Sequence, residues 1–177
     1  WLFDKQLEMK KLLLILFLFL IPNIASAGCD DPLTDGVDYT KCRFSDGQDL
    51  QGSYLPNSNL SFASFIQVNF DKSIMMNSIL AFGTFSESSF IRANLYEANL
   101  QGGNFELSNF SSSNLTKANF QGSTLIGANF KNANLIDANL TSANIIDANF
   151  EGANLNNTIW IDGNKCLAGS IGLCKKE

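Results

Sequence analysis

Four cysteines, Cys29, Cys42, Cys166 and Cys174, have the most chemistry to offer in this sequence, and they fall in two local pairs. Even parity and short spacing, downstream of a segment that reads as an export signal, point to disulfides rather than catalysis. Of the three possible connectivities, only Cys29 with Cys42 and Cys166 with Cys174 avoids spanning the long stretch between the pairs. A shared zinc site would require both ends of that stretch to meet, and no metal site is expected. His is absent, so neither a Ser–His–Asp nor a Cys–His arrangement can be built, and the chain does not read as an enzyme. Asp30, Asp31, Asp35, Asp38, Asp46 and Asp49 crowd one segment but lack the alternating spacing and closing Glu of a calcium loop. They read as a solvated cap, and no cofactor is implied. The net charge of −5 carries no basic stripe, which excludes capture of nucleic-acid phosphates.

The segment ahead of the first cysteine explains the redox setting. Lys10 and Lys11, the apolar run Leu12 to Ile21, Pro22, and Ala25-Ser26-Ala27 have the order of a secretory signal peptide over residues 9–27, with cleavage expected after Ala27. The run is too short for a stable membrane anchor. Trp1 to Glu8 reads as translated upstream sequence, with Met9 as the start. The expected location is periplasmic or secreted. Lipidation at Cys29 is the rival reading, because Ser26-Ala27-Gly28-Cys29 loosely resembles a lipobox, but it would leave Cys42 unpaired.

Between the cysteine pairs, one pattern must position everything else. From Leu50 to Trp160 an apolar or aromatic residue recurs at every fifth position, usually with a small residue two places before it and Asn between, as in Ala128-Asn129-Phe130. A period of five fits neither a helix nor a flat strand, so the chain must turn at a fixed interval and stack on itself. Every fourth centre forms a column: Leu50, Phe70, Phe90, Phe110, Phe130 and Phe150 in the first, with columns from Leu55, Leu60 and Phe65 after it. Phe segregates by column at a spacing of 20. Coils about 4.8 Å apart place like on like, which predicts an all-β solenoid with four five-residue sides. Residues 28–47 are expected to form a disulfide-closed N-terminal segment, 48–160 the stack, and 161–177 a disulfide-closed tail. Phe44 lies one residue out of phase with Leu50, which predicts a bulge there. Centres and the small residues two before them should point inward. The intervening Asn should build hydrogen-bonded ladders and support tight turns.

Units such as Ala-Asn-Leu-Ile-Asp at 133–137 and Ala-Asn-Phe-Glu-Gly at 148–152 resemble the pentapeptide-repeat family. That resemblance implies a right-handed, four-sided β-helix and no single activity. The flanks, Gly36 to Cys42 and Trp160 to Gly163 followed by Cys166 to Cys174, resemble a secreted bacterial subgroup. Some cytosolic members of the family protect DNA gyrase by imitating duplex DNA, a role that an export signal argues against.

Surface recognition is what remains, so the outward positions carry the functional reading. Ile74, Met76, Ile79 and Phe82 cluster in the second coil, with Tyr54, Phe62 and Tyr96 one coil away, and these seven are expected to form one apolar patch. Either a partner or the N-terminal segment could cover it. The fourth side offers a second candidate face, with Ile66, Leu107, Ile126 and Ile146 beside Glu87, Glu106 and Asp147 and no Lys or Arg. A basic partner or a second copy would suit it. Thr is too sparse for the regular ladders of an ice-binding face. The expectation is therefore an exported, non-catalytic scaffold that binds protein or itself. A structural envelope component without a specific partner, or a gyrase-protecting DNA mimic if the chain is cytosolic, are the alternatives.

Overall fold

The computed structural model describes residues 28–177, and the leader over 9–27 and its upstream residues lie outside that range. No helix among the described residues is long and apolar enough to cross a membrane. The chain is instead a stack of coils joined by isolated parallel bridges, and from Asp49↔Asn69 to Asn139↔Ile159 each links a residue to the one twenty positions on. Four bridged positions per coil give four sides, numbered here by their columns: the first carries Phe70 and Phe90, the second Met75 and Leu95, the third Leu80 and Leu100, the fourth Phe85 and Phe105.

Each five-residue unit repeats the same bonds. Leu115 donates its N–H to Asn134 at 2.7 Å in the next coil, Asn134 donates back to Ser113 at 2.9 Å, and Ala118 closes the turn on Leu115 at 3.0 Å. The third residue of every turn stands at a positive φ near 57°, as at Asn57, Phe62, Lys117 and Asp147. This left-handed conformation folds the chain through a corner in two residues.

Inside, the columns stack as their spacing predicts. Phe70, Phe90, Phe110, Phe130 and Phe150 form one file with successive ring centroids 5.1, 4.8, 5.1 and 4.9 Å apart. Phe44, Phe65, Phe85 and Phe105 form a second, at 4.2, 5.3 and 5.1 Å. Each buried Leu or Phe contributes roughly 1.5–3 kcal/mol before its ordering entropy is subtracted. The small residues two before the centres are buried as well, and their hydroxyls satisfy backbone groups: Ser88 donates to Phe65 O at 2.7 Å and accepts from Val68 N at 3.0 Å.

The two ends differ from the middle. Pairing reaches back to Asp38↔Asn59 and Arg43↔Ser64, both offset by 21 rather than 20, so stacking starts ahead of residue 48. The change of offset between Arg43 and Asp49 is the extra residue expected after Phe44. Tyr39 and Phe44 continue the inward columns, and the Tyr39 hydroxyl donates to the carbonyl of Asp31. Burial, then the negative charge of Asp31, pushes the Tyr39 phenol upward in pKa. At the other end the tail doubles back in antiparallel bridges, Ile159↔Lys165 and Asn154↔Ile171, over the third and second sides. Cys29 and Cys42 lie with sulfurs 2.09 Å apart, and Cys166 and Cys174 at 2.01 Å, so each pair is at bonding distance and staples one end. Closing such short loops contributes about 3 kcal/mol each in the chain-entropy account, at the coils whose outer edges lack a neighbour.

Candidate functional site

The seven apolar residues are displayed in a band that wraps a corner. Ile74 bridges Tyr54 on the second side, Met76 and Tyr96 stand at the next corner, Ile79 is bridged on the third side, and Phe62 and Phe82 occupy the corner beyond. Tyr54, Phe62, Ile79 and Phe82 are 52, 55, 39 and 53% exposed, and Ile74, Met76 and Tyr96 are half-buried. The N-terminal segment lies along the end of the stack, where Gly36 donates to Pro56 O and Asn57 to Asp35. Among the described residues it leaves the band open.

Local geometry explains why these groups stand out. Ile74 and Ile79 hold bridged positions, whose side chains point outward. Phe62 and Phe82 hold the positive-φ position of their turns, at +59° and +58°, and their rings stack at 5.3 Å. The next residue in that file is Gly102, where an added Cβ would stand 2.6 Å from the Phe82 ring. Phe82 therefore lies flat over a glycine shelf, with its edge to solvent. Tyr96 is engaged differently, since its hydroxyl accepts from Lys117 Nζ at 3.1 Å and Lys117 also bonds Glu97 at 2.8 Å. The bonds to Glu97 and Tyr96 raise the Lys117 pKa, and the same lysine bond lowers that of Glu97.

The second candidate set is placed on an edge rather than on a face. Ile66, Glu87, Glu106, Leu107, Ile126, Ile146 and Asp147 all fall in the turns between the fourth and first sides. Leu107 and Ile146 are 58 and 60% exposed, and Gln67 donates to Glu87 at 2.9 Å across one coil. The fourth side is not free of base, because Arg43 begins it by bridging Ser64. The one-residue bulge had hidden that assignment.

Two features escaped the sequence reading. One is the shelf glycine: Gly127 lies under Leu107 and Gly152 under Asn132 as Gly102 lies under Phe82. The other is the positive-φ column itself. From Gly52 to Asn157 it contains no Val, Ile, Thr or Pro, whereas the position just before it admits Ile66, Ile91, Thr116, Ile126, Ile136, Thr141 and Ile146. β-Branched side chains clash in the left-handed region, so this exclusion was the available signal.

No cluster of His, Cys, Asp or Glu with metal-holding geometry occurs among the described residues. Recesses at the two ends are bordered by Tyr39 and Arg43, and by Lys165 and Lys176, beside the disulfides. Lys176 pairs with Asp162 there, and that bond holds the Asp162 carboxyl down to about 2. What the exterior offers is contact area, with apolar groups mounted on a rigid lattice.

The model for pentapeptide repeats matches residues 49–80, 88–125 and 118–157, in eight copies. No curated protein sequence matches the chain. Among solved structures, full-length QnrB1, a plasmid-mediated fluoroquinolone resistance protein, superposes with a TM-score of 0.65 at 18% identity, over 70% of this chain and 65% of that one. This chain thus spans less than two thirds of QnrB1, and the likeness is one of fold. A pentapeptide repeat protein from the Arabidopsis thaliana thylakoid lumen matches at 19% identity over 66% of this chain and 67% of its own, with a TM-score of 0.31. HetL, involved in heterocyst differentiation regulation in Nostoc sp. strain PCC 7120, matches at 16% identity over 74 and 92%, with a TM-score of 0.28. Repeat period, bridge offset and family match agree, and the chain belongs to the pentapeptide repeat family.

Proposed function

We propose that this protein is an exported, disulfide-closed pentapeptide-repeat protein, wound as a right-handed quadrilateral β-helix, that works without catalysis by binding a protein through its apolar band. One observation carries the reading: Tyr54, Phe62, Ile79 and Phe82 stand exposed side by side in the first coils of the stack. Packing does not require them there, since Asn is the usual occupant at Ile79 and Ser serves the Phe82 position at Ser112 and Ser142. Contiguous exposed apolar groups on a rigid surface mark interfaces. The leader-like sequence and two stapled ends support a location in the periplasm or outside the cell.

The test is a double variant, Ile79→Asn with Phe82→Ser. Its stability is expected to stay within about 1 kcal/mol of the parent, because the loss of the Phe62 stack is offset by relief at a positive φ. Co-purification of a partner from periplasm or medium should be lost. A loss of several kcal/mol in denaturant melts would show that the band is structural, and unchanged capture would remove it as the binding surface. Fractionation addresses the gyrase-protecting alternative suggested by the fold shared with QnrB1, since that role demands cytosolic chain.

A further inference from the structure

We infer that the first side of the stack is a second, independent interface, through which two copies of this chain pair side by side with their axes parallel. The first side is flat and carries only short polar groups outward: Asp49, Asn69, Ser89, Asn109, Asn129 and Asn149. Its two edges are opposite in charge. One is the edge shared with the fourth side, where Glu87, Glu106 and Asp147 stand among exposed aliphatics and no base is present. The other is the edge shared with the second side, which holds Lys72, Arg92 and Lys131.

The acids of that basic edge are already engaged. Glu151 pairs with Lys131 at 2.9 Å, and Asp71 accepts from the Ser89 hydroxyl and from Ile91 N. Lys72 and Arg92 form no ion pair among the described residues. Elsewhere on the stack, Lys117 is held by Glu97, so the free positive charge of the repeats sits on this one edge.

Symmetry then selects one arrangement. Two first sides laid face to face about a two-fold axis parallel to the rods bring the acidic edge of each copy against the basic edge of the other. A two-fold axis across the rods would set acid against acid and base against base, which charge forbids. A parallel axis also preserves height along the rod. Residues five apart in sequence differ by a quarter of a coil, about 1.2 Å, so Glu87 comes level with Arg92 of the second copy and Gln67 with Lys72. The steric sequence fits as well. Large Leu107 comes level with small Ser112, and Gly127 with Asn132. A second copy is therefore the occupant whose charge order and relief match this face along its length.

Charge reversal tests both partner and symmetry, using the disulfide-closed chain recovered from the producing cell and sedimentation in low and in molar salt. The parent should dimerise in low salt and dissociate at least tenfold more readily in molar salt. Glu87→Arg alone and Arg92→Glu alone should each be monomeric with unchanged melting, since either creates two like-charge contacts per dimer. Mixing those two variants should restore dimers of one copy each, and the double variant Glu87→Arg/Arg92→Glu should dimerise by itself. The variant Ile79→Asn/Phe82→Ser should still dimerise, which separates this interface from the apolar band. A monomeric parent in low salt, failure of the mixture to recover, or loss of the dimer in the Ile79/Phe82 variant would each overturn the inference.

Discussion

The first two coils and the four that follow share a backbone but not a surface. From Asn94 to Asn154 every bridged position is Asn except Thr124, whereas in the earlier coils Tyr54, Ser64, Ile74, Ile79, Thr84 and Ser89 take six of the eight. The pairing is indifferent to this: Leu55 reaches Ile74 O at 2.7 Å, and Leu115 reaches Asn134 O at 2.7 Å. Asn instead serves the turn, its side-chain oxygen accepting from the N–H two residues on, as Asn129 does from Lys131 at 3.1 Å. The early coils manage without it. Pro56 has no N–H to satisfy, and Ile91 borrows Asp71 from the coil below at 2.9 Å. Met76 and Ala81 make no such bond among the described residues. Pairing depends on the inward columns and the turn conformation, which leaves the outward column free to change in the coils that carry the apolar band.

The most severe way to break this comparison is to strike the core in both regions. Phe70→Ala and Phe110→Ala each remove a ring held between two stacked neighbours, and each should cost about 3–5 kcal/mol. Chemical denaturation followed by far-ultraviolet dichroism measures both. A much smaller cost at Phe70 would mean that the early coils are a weaker unit and not the same lattice with a different coat.

A smaller effect isolates the turn. Ser111 and Ser112 are adjacent and chemically identical, but only Ser112 has a positive φ, at 58°. Ser112→Val should cost about 1–2 kcal/mol from the left-handed strain on a β-branched residue, and Ser111→Val should stay within about 0.5 kcal/mol. Equal costs would show that crowding, not backbone conformation, excludes branched residues from this column.

The architecture was legible because each inward side chain answers to a single demand repeated at a period of 20, and even the bulge after Phe44 could be read from a broken count. Side chains on the exterior answer to no common demand, and there the reading was coarser. The fourth-side set proved to be an edge because the residues after each centre form the turn, which a five-residue count does not locate. Arg43 was missed because it lies before the bulge. The shelf glycines were hidden for another reason: Gly102 matters through Phe82, and that relation exists only once twenty residues of chain have folded between them.

The finest test exchanges the two coats. Asn114→Ile removes the acceptor of Thr116 N and Oγ1, at 3.2 and 2.8 Å, and a ladder bond to Asn94 at 3.1 Å. It should cost about 1 kcal/mol, the net worth of an intramolecular hydrogen bond in a partly solvated site. Ile74→Asn runs the other way. It offers Met76 N–H the acceptor it lacks, at the expense of a half-buried side chain resting on Tyr54. The hydrogen bond outweighs so small an apolar contact, and stabilisation by about 0.5 kcal/mol is expected. Thermal melts of the two single variants measure both signs. If Ile74→Asn instead destabilises by more than about 1 kcal/mol, Ile74 is packed for the sake of the stack. The early coils would then differ from the later ones by structural need, and the case for a band kept apolar for a partner would lose its second-side half.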